Sequence, residues 1–233
     1  MFKEMREGAL AGIPIALGYL SVSFGIGIMA VGAGFSILEA VILSAANLTS
    51  AGQVAGIEII AAAGTVIEII ASQFVINLRY ALMAISLSQR LDESFGTPQR
   101  LLVSYGITDE IFAVAYARKK KVTPAFMAGL ILISGAGWVL GTLLGAAAGE
   151  ILPVAVTNAL GIMLYGMFIA IVVPVLKENR HVLYVAAAAI ALSLLFRYVI
   201  TGISSGFSVI ICAVGASVFG ALLFPIDGEG ENT

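Results

Sequence analysis

The chain has 233 residues, of which 60% are hydrophobic and only 11% charged, with a net charge of -2 and a mean hydropathy of +1.06. A soluble domain carries about 25% charged residues, so this chain cannot clothe a surface in water, and no basic stripe suggests nucleic acid. Apolar runs near the ~20 residues that span a bilayer follow one another, whereas a barrel would alternate in segments of about 10. The expected fold is an all-α polytopic membrane protein of about eight transmembrane helices. Residues 1–7 form a cytoplasmic N-terminus, 8–224 one transmembrane helical domain, and 225–233 an acidic cytoplasmic tail.

Span 1, about 8–33, contains Pro14, which removes a backbone bond and kinks a helix. Such a kink is either tolerated packing or a hinge onto a cavity. Span 2, about 36–63, is longer than a bilayer needs, and its middle reads Asn47-Leu48-Thr49-Ser50-Ala51-Gly52-Gln53. Those poor helix formers suit a discontinuous helix, the device by which transporters face freed backbone groups toward a ligand. The alternative is a tilted continuous helix whose Gly52 and Gly56 allow close packing. Span 3, about 65–89, carries Glu68, Asn77 and Arg79, and span 4, about 101–117, carries Thr108, Asp109 and Glu110.

Span 5, about 124–149, places Gly137, Gly141, Gly145 and Gly149 on one helix face, a stripe that admits a close neighbour from this chain or a partner. Span 6, about 156–176, holds Asn158, Tyr165 and Pro174. Span 7, about 182–200, ends near Arg197, which can snorkel to the interface. Span 8 covers about 203–224. With eight crossings, Lys3, Arg6, the four basic residues of 118–121, Lys177 and Arg180 share one side, and only Arg90 and Arg100 face the other. The positive-inside rule makes the first side cytoplasmic, in a multi-pass protein of the cytoplasmic (inner) membrane.

A charge inside a span is costly and persists when paired or used. Counted from the outer ends of spans 3 and 4, Arg79 lies about 15 Å and Asp109 about 12 Å deep, at ~1.5 Å per residue. Joined by a short loop, they can meet as a buried pair, either for packing alone or to be opened by a zwitterion or a proton. Asp109 and Glu110 point about 100° apart on a helix of ~3.6 residues per turn, so one of them faces Arg79. They are the candidate proton-coupling groups, because intramembrane carboxyls serve as proton relays. Asn47, Ser50, Gly52, Gln53, Asn77, Arg79 and Thr108 are the candidate substrate-binding residues. Gly202-Ile203-Ser204-Ser205-Gly206 fits G-x-S-x-G only as a string, since that elbow needs a strand-to-helix turn. One histidine and one cysteine make a metal site unexpected, and no cofactor is expected.

Gly12-Ile13-Pro14-Ile15-Ala16-Leu17-Gly18-Tyr19, Ala51-Gly52-Gln53, Asn77-Leu78-Arg79-Tyr80 and Thr108-Asp109-Glu110, with Trp138 and Gly141, occur in the order and spacing of a known family. The chain resembles the AzlC family over nearly its whole length. Tyr80 replaces a histidine frequent in that family, and Leu20-Ser21 replaces the proline after the tyrosine of span 1. The resemblance implies the large subunit of a two-component exporter of branched-chain amino acids, working with a small AzlD-type membrane subunit. Arg79 would then take a carboxylate, Asp109 or Glu110 an ammonium, and apolar walls the aliphatic side chain. Without a P-loop to bind nucleotide, a secondary, proton-driven transporter that is not an enzyme is expected. The competing classes are a membrane scaffold assembled on the glycine face and an intramembrane enzyme using Asp109 and Glu110.

Overall fold

The computed structural model describes residues 1–153, 155–156, 159, 166, 169, 172–174, 176–200 and 202–224, with the side chain of Ser205 excepted. Asn158 and Tyr165 of predicted span 6 and the whole tail 225–233 lie outside the described residues. The described helices are α1 (Phe2–Gly32), α2 (Ile37–Ala46), α3 (Ser50–Ala61), α4 (Val66–Ser88), α5 (Thr97–Tyr105), α6 (Asp109–Ala117), α7 (Pro124–Ile151), α8 (Arg180–Tyr198) and α9 (Ser205–Leu223). Among the described residues the only extended pairing is an isolated bridge between Leu91 and Val122. Helices α1, α4, α7, α8 and α9 are long and apolar enough to cross a membrane. The fold is an all-α polytopic membrane protein. Its Cα positions group into two compact units, Met1–Ile57 with Asn77–Tyr165 and Glu58–Ile76 with Gly166–Thr233.

The first unit is built on α1 and α7, which run in the same direction in close contact. Gly129, Gly137, Gly141 and Gly145 of α7 lie against the backbone of Met5, Ala16, Leu20 and Phe24, so near that a Cβ on any of them would overlap it. Gly8, Gly12 and Gly27 of α1 answer with the same closeness to Phe126, Leu130 and Thr142. Apolar side chains gain nothing by leaving lipid for each other, so backbone approach through small residues holds such helices together. The stripe of span 5 is therefore filled by α1 of the same chain.

Helix α4 runs the opposite way. Just past its end at Ser88, the Arg90 guanidinium donates to the carbonyls of Tyr116 (3.1 Å) and Arg118 (2.6 Å), and the amides of Asp92 and Val122 bond to the Val122 and Arg90 carbonyls. Arg118 in turn pairs with Glu4 at 2.6 Å and Glu7 at 3.0 Å on the first turns of α1. The 89–96 loop, the 118–122 loop and the N-terminus therefore share one end of this unit. This corrects the sequence-based topology, which set the Arg90–Arg100 loop on the side away from residues 118–121.

Span 4 accordingly does not cross. It divides at Gly106-Ile107-Thr108 into α5 and α6, each about 13 Å long at ~1.5 Å per residue. They leave the shared end and return to it as a re-entrant hairpin. Span 2 is broken as well, at Asn47-Leu48-Thr49 between α2 and α3. Against α7, Ser44 sits at Thr142, the Leu48 side chain lies beside Gly135, and Gln53 sits back at Trp138. The chain thus descends to the break and turns back, a second hairpin entering from the other end. Neither hairpin was anticipated, because a returning segment is as apolar as a crossing one.

In the second unit α8 and α9 are antiparallel. Gly215 packs on Leu192 and Gly220 on Val185, and His181 stacks on Phe224 with centroids 4.3 Å apart. Glu68 caps the start of α4, accepting from the Thr65 amide at 2.5 Å and hydroxyl at 3.1 Å while the Thr65 oxygen receives the Glu68 amide. That reciprocal box explains one acidic residue of span 3 without a functional role.

Candidate functional site

The two hairpin tips meet at a cavity of about 150 Å³ lined by Asn47, Leu48 and Thr49 of one break, Tyr105 and Ile107 of the other, and Asn77 and Tyr80 of α4. Four helix ends converge there, the C-termini of α2 and α5 and the N-termini of α3 and α6. N-terminal amides favour negative charge and C-terminal carbonyls positive charge. A site formed by such ends can hold both poles of a zwitterion. The size suits a small solute, since sites for drug-sized ligands run to roughly 300–1,000 Å³.

Beside this cavity Arg79 Nη2 lies 2.9 Å from Asp109 Oδ2. The same Nη2 atom lies 3.3 Å from the Tyr80 hydroxyl, with the guanidinium carbon 5.0 Å from the Tyr80 ring centroid. The Tyr80 hydroxyl reaches Thr49 Oγ1 at 3.4 Å. An unbroken polar chain therefore runs from the tip of α6 through α4 to the tip of the other hairpin. Arg79 and Asp109 meet as the sequence suggested, at about 13 and 12 Å from the end shared with residues 118–121, taking ~1.5 Å per residue. The depth had been counted from the opposite end. The pair is also not enclosed, the two side chains being 47% and 42% exposed on this chain.

Thr108, Asp109 and Glu110 have three different partners. Thr108 caps α6 by accepting the Ile111 amide, and its hydroxyl lies 2.5 Å from the hydroxyl of Tyr19. Tyr19 donates its single proton to Glu110 Oε2 at 2.7 Å, so the Thr108 hydroxyl is the donor toward Tyr19. Asp109 faces Arg79, and Glu110 faces α1. Sequence reasoning quoted Tyr19 only as part of a motif and missed its bond to the acidic pair.

Behind the tips lies a second buried network. Trp138 Nε1 donates to Gln53 Oε1 at 3.1 Å, which orients the Gln53 amide because the indole can only donate. Gln53 Nε2 then donates to Ser44 Oγ at 2.5 Å, and Ser44 meets Thr142 at 2.6 Å. Tyr19 touches Trp138 edge to face, with centroids 5.4 Å apart. Gln53, a candidate binding residue, is thus a bolt between the two arms of its hairpin and α7. Ser50 begins α3 and Gly52 lies in its first turn, with its amide 3.4 Å from Thr49 Oγ1; neither lines the cavity, whereas Asn47 and Asn77 do. Thr49, Tyr80 and Tyr105 line it too and were not singled out as site residues. Thr49 lay inside the suspect run and Tyr80 was quoted within a motif, whereas Tyr105 was hidden in an apolar stretch.

Comparison with known proteins matches residues 14–152 to the family described as AzlC protein. The chain is similar to the inner membrane protein YgaZ of Escherichia coli, with 30% identity over 195 residues, 80% of this chain and 79% of the relative. It is also similar to an uncharacterized membrane protein of Archaeoglobus fulgidus, with 32% identity over 228 residues, 96% of this chain and 95% of that one. No solved structure matches.

Proposed function

The chain belongs to the AzlC family, and from that premise we propose that it is the large subunit of a secondary transporter exporting branched-chain amino acids. The observation that carries this is the meeting of two helix breaks at a small cavity flanked by the Arg79–Asp109 pair. In the transport cycle the substrate carboxylate takes Arg79 and the ammonium takes Asp109, each replacing the other residue as partner. Asn47, Thr49, Asn77 and Tyr80 give the cavity its polar lining, while Leu48 and Ile107 meet the aliphatic side chain. Thr108 positions Asp109 by capping α6.

Export is proton-coupled in this scheme. Asp109 exchanges a proton when Arg79 is engaged by substrate, and Glu110 holds α6 against α1 through Tyr19. The end bearing Lys119, Lys120 and Lys121 faces the cytoplasm by the positive-inside rule, in the inner membrane. A small AzlD-type membrane subunit covers the exposed side of the pair. The scaffold alternative is weakened because α1 already fills the glycine stripe. An acid–base carboxylate pair is not what the site offers either, since Asp109 and Glu110 are engaged by Arg79 and Tyr19 separately.

The test is efflux of labelled leucine, isoleucine and valine from vesicles containing the chain with and without its small subunit, under an imposed pH gradient. Efflux that needs both subunits and follows the gradient supports the proposal. Gradient-independent efflux removes the proton, and none of the three amino acids moving under either condition removes the substrate assignment.

A further inference from the structure

We propose that the second unit carries a binding site for the headgroup of an anionic, hydroxyl-bearing phospholipid such as phosphatidylglycerol, with Arg197 as its phosphate ligand. A cavity of about 340 Å³ lies between α8 and α9, lined by Ser193, Phe196, Arg197, Ile203, Val209 and Cys212, with Ser208 also at its wall. It is more than twice the size of the cavity at the hairpin tips. No hydrogen bond or ion pair joins the Arg197 guanidinium to another described residue. Placed within a membrane helix, such a cation needs an anion or water, and a guanidinium matches a phosphate through two parallel N–H donors.

Depth decides between a lipid and a transported solute. Arg197 stands about 25 Å along α8 from Arg180, at ~1.5 Å per residue. With a hydrocarbon layer of about 30 Å and the Arg180 end at one interface, Arg197 comes close to the other, where phosphates lie. Its neighbour Tyr198 is 76% exposed, as tyrosines at the headgroup level are. The cavity chemistry grades in the same sense. Arg197 and the Ser193 hydroxyl supply donors, while Phe196, Ile203 and Val209 offer an apolar wall to the glycerol backbone and first methylenes. Ser208 donates its proton to the Ser204 carbonyl at 2.9 Å, so toward a ligand it can only accept. That suits a headgroup hydroxyl better than a second phosphate oxygen.

Cys212 is the only cysteine in the chain and lies in the cavity wall, so it reports occupancy directly. The full chain in non-ionic detergent is treated with methyl methanethiosulfonate alone or with dihexanoyl phosphatidylglycerol, dihexanoyl phosphatidylcholine or inorganic phosphate. Phosphatidylglycerol should slow modification severalfold and phosphatidylcholine much less. Arg197→Gln should raise the half-protecting lipid concentration about tenfold or more, the usual effect of losing a charged hydrogen bond, and Arg197→Lys by less. Equal protection by both lipids would overturn the proposal in favour of an unspecific apolar groove. Protection by phosphate alone would overturn it in favour of a soluble anion. These two comparisons use the unaltered chain and stand even where a variant fails to fold.

Discussion

At the scale of single residues, the site rests on a division of labour between adjacent carboxylates. Asp109 is half exposed and salt-bridged, while Glu110 accepts the Tyr19 hydroxyl from α1. Arginine cannot shed its proton, so Asp109→Asn leaves a lone cation within a span, whereas Arg79→Ala leaves a carboxyl that can take up a proton. We expect Asp109→Asn to lower membrane expression more than Arg79→Ala, by a modest margin because the pair is not enclosed, with efflux abolished in both. Combining the two should restore expression but not efflux; near-normal efflux in the double variant would show the pair to be structural only. Tyr19→Phe keeps the ring on Trp138 and removes the hydroxyl shared by Thr108 and Glu110. Leaving those groups short of a partner should cost about 1–3 kcal/mol. That loss is read as a lowered unfolding midpoint in detergent, and an unchanged midpoint would mean the link between α1 and α6 holds nothing.

At the scale of elements, the close pairing of α1 and α7 makes a graded prediction. Gly145→Ala would drive a methyl into the Phe24 backbone, whereas at Gly149 the nearest atom, Ile28 Cα, stays at an ordinary 3.4 Å. Expression of folded, monodisperse protein should collapse for Gly145→Ala and hold for Gly149→Ala; equal tolerance would mean the two helices are not held at this separation. Much of this level was legible in the sequence. Ser36 with Glu39 and Thr65 with Glu68 form capping boxes that start α2 and α4. Asn47 and its poor helix-forming neighbours marked the first break. The second was equally signposted, by Gly106 and by Thr108 before two acidic residues, but an apolar run of spanning length concealed it. What no local pattern encodes is whether a broken segment continues or turns back, because lipid-compatible composition is the same for both. Only contacts distant in sequence, such as Arg90 with Arg118 and Gln53 with Trp138, decide it.

At the scale of the molecule, the two hairpins change both the topology and the expected mechanism. In the first unit Lys3, Arg6, Arg90, Arg100 and the four basic residues of 118–121 all gather at one end. The charge asymmetry there is greater than eight uninterrupted crossings would allow, and it points that end to the cytoplasm more firmly. One hairpin then enters from each side, so each tip can screen the cavity from its own compartment. A transporter needs two such barriers that open in turn. The prediction is tested in a Cys212→Ser background with single substitutions Ala33→Cys, Glu93→Cys and Lys120→Cys, labelled by a membrane-impermeant maleimide. Ala33 caps the end of α1 opposite the basic cluster, and Ala33→Cys should react in intact cells. Glu93→Cys and Lys120→Cys should react only after permeabilisation, because the 89–96 and 118–122 loops are hydrogen-bonded to each other. Eight full crossings require the Glu93 position to react from outside while Lys120 does not. Observing that split would remove the re-entrant hairpins, and with them the paired barriers on which alternating access depends.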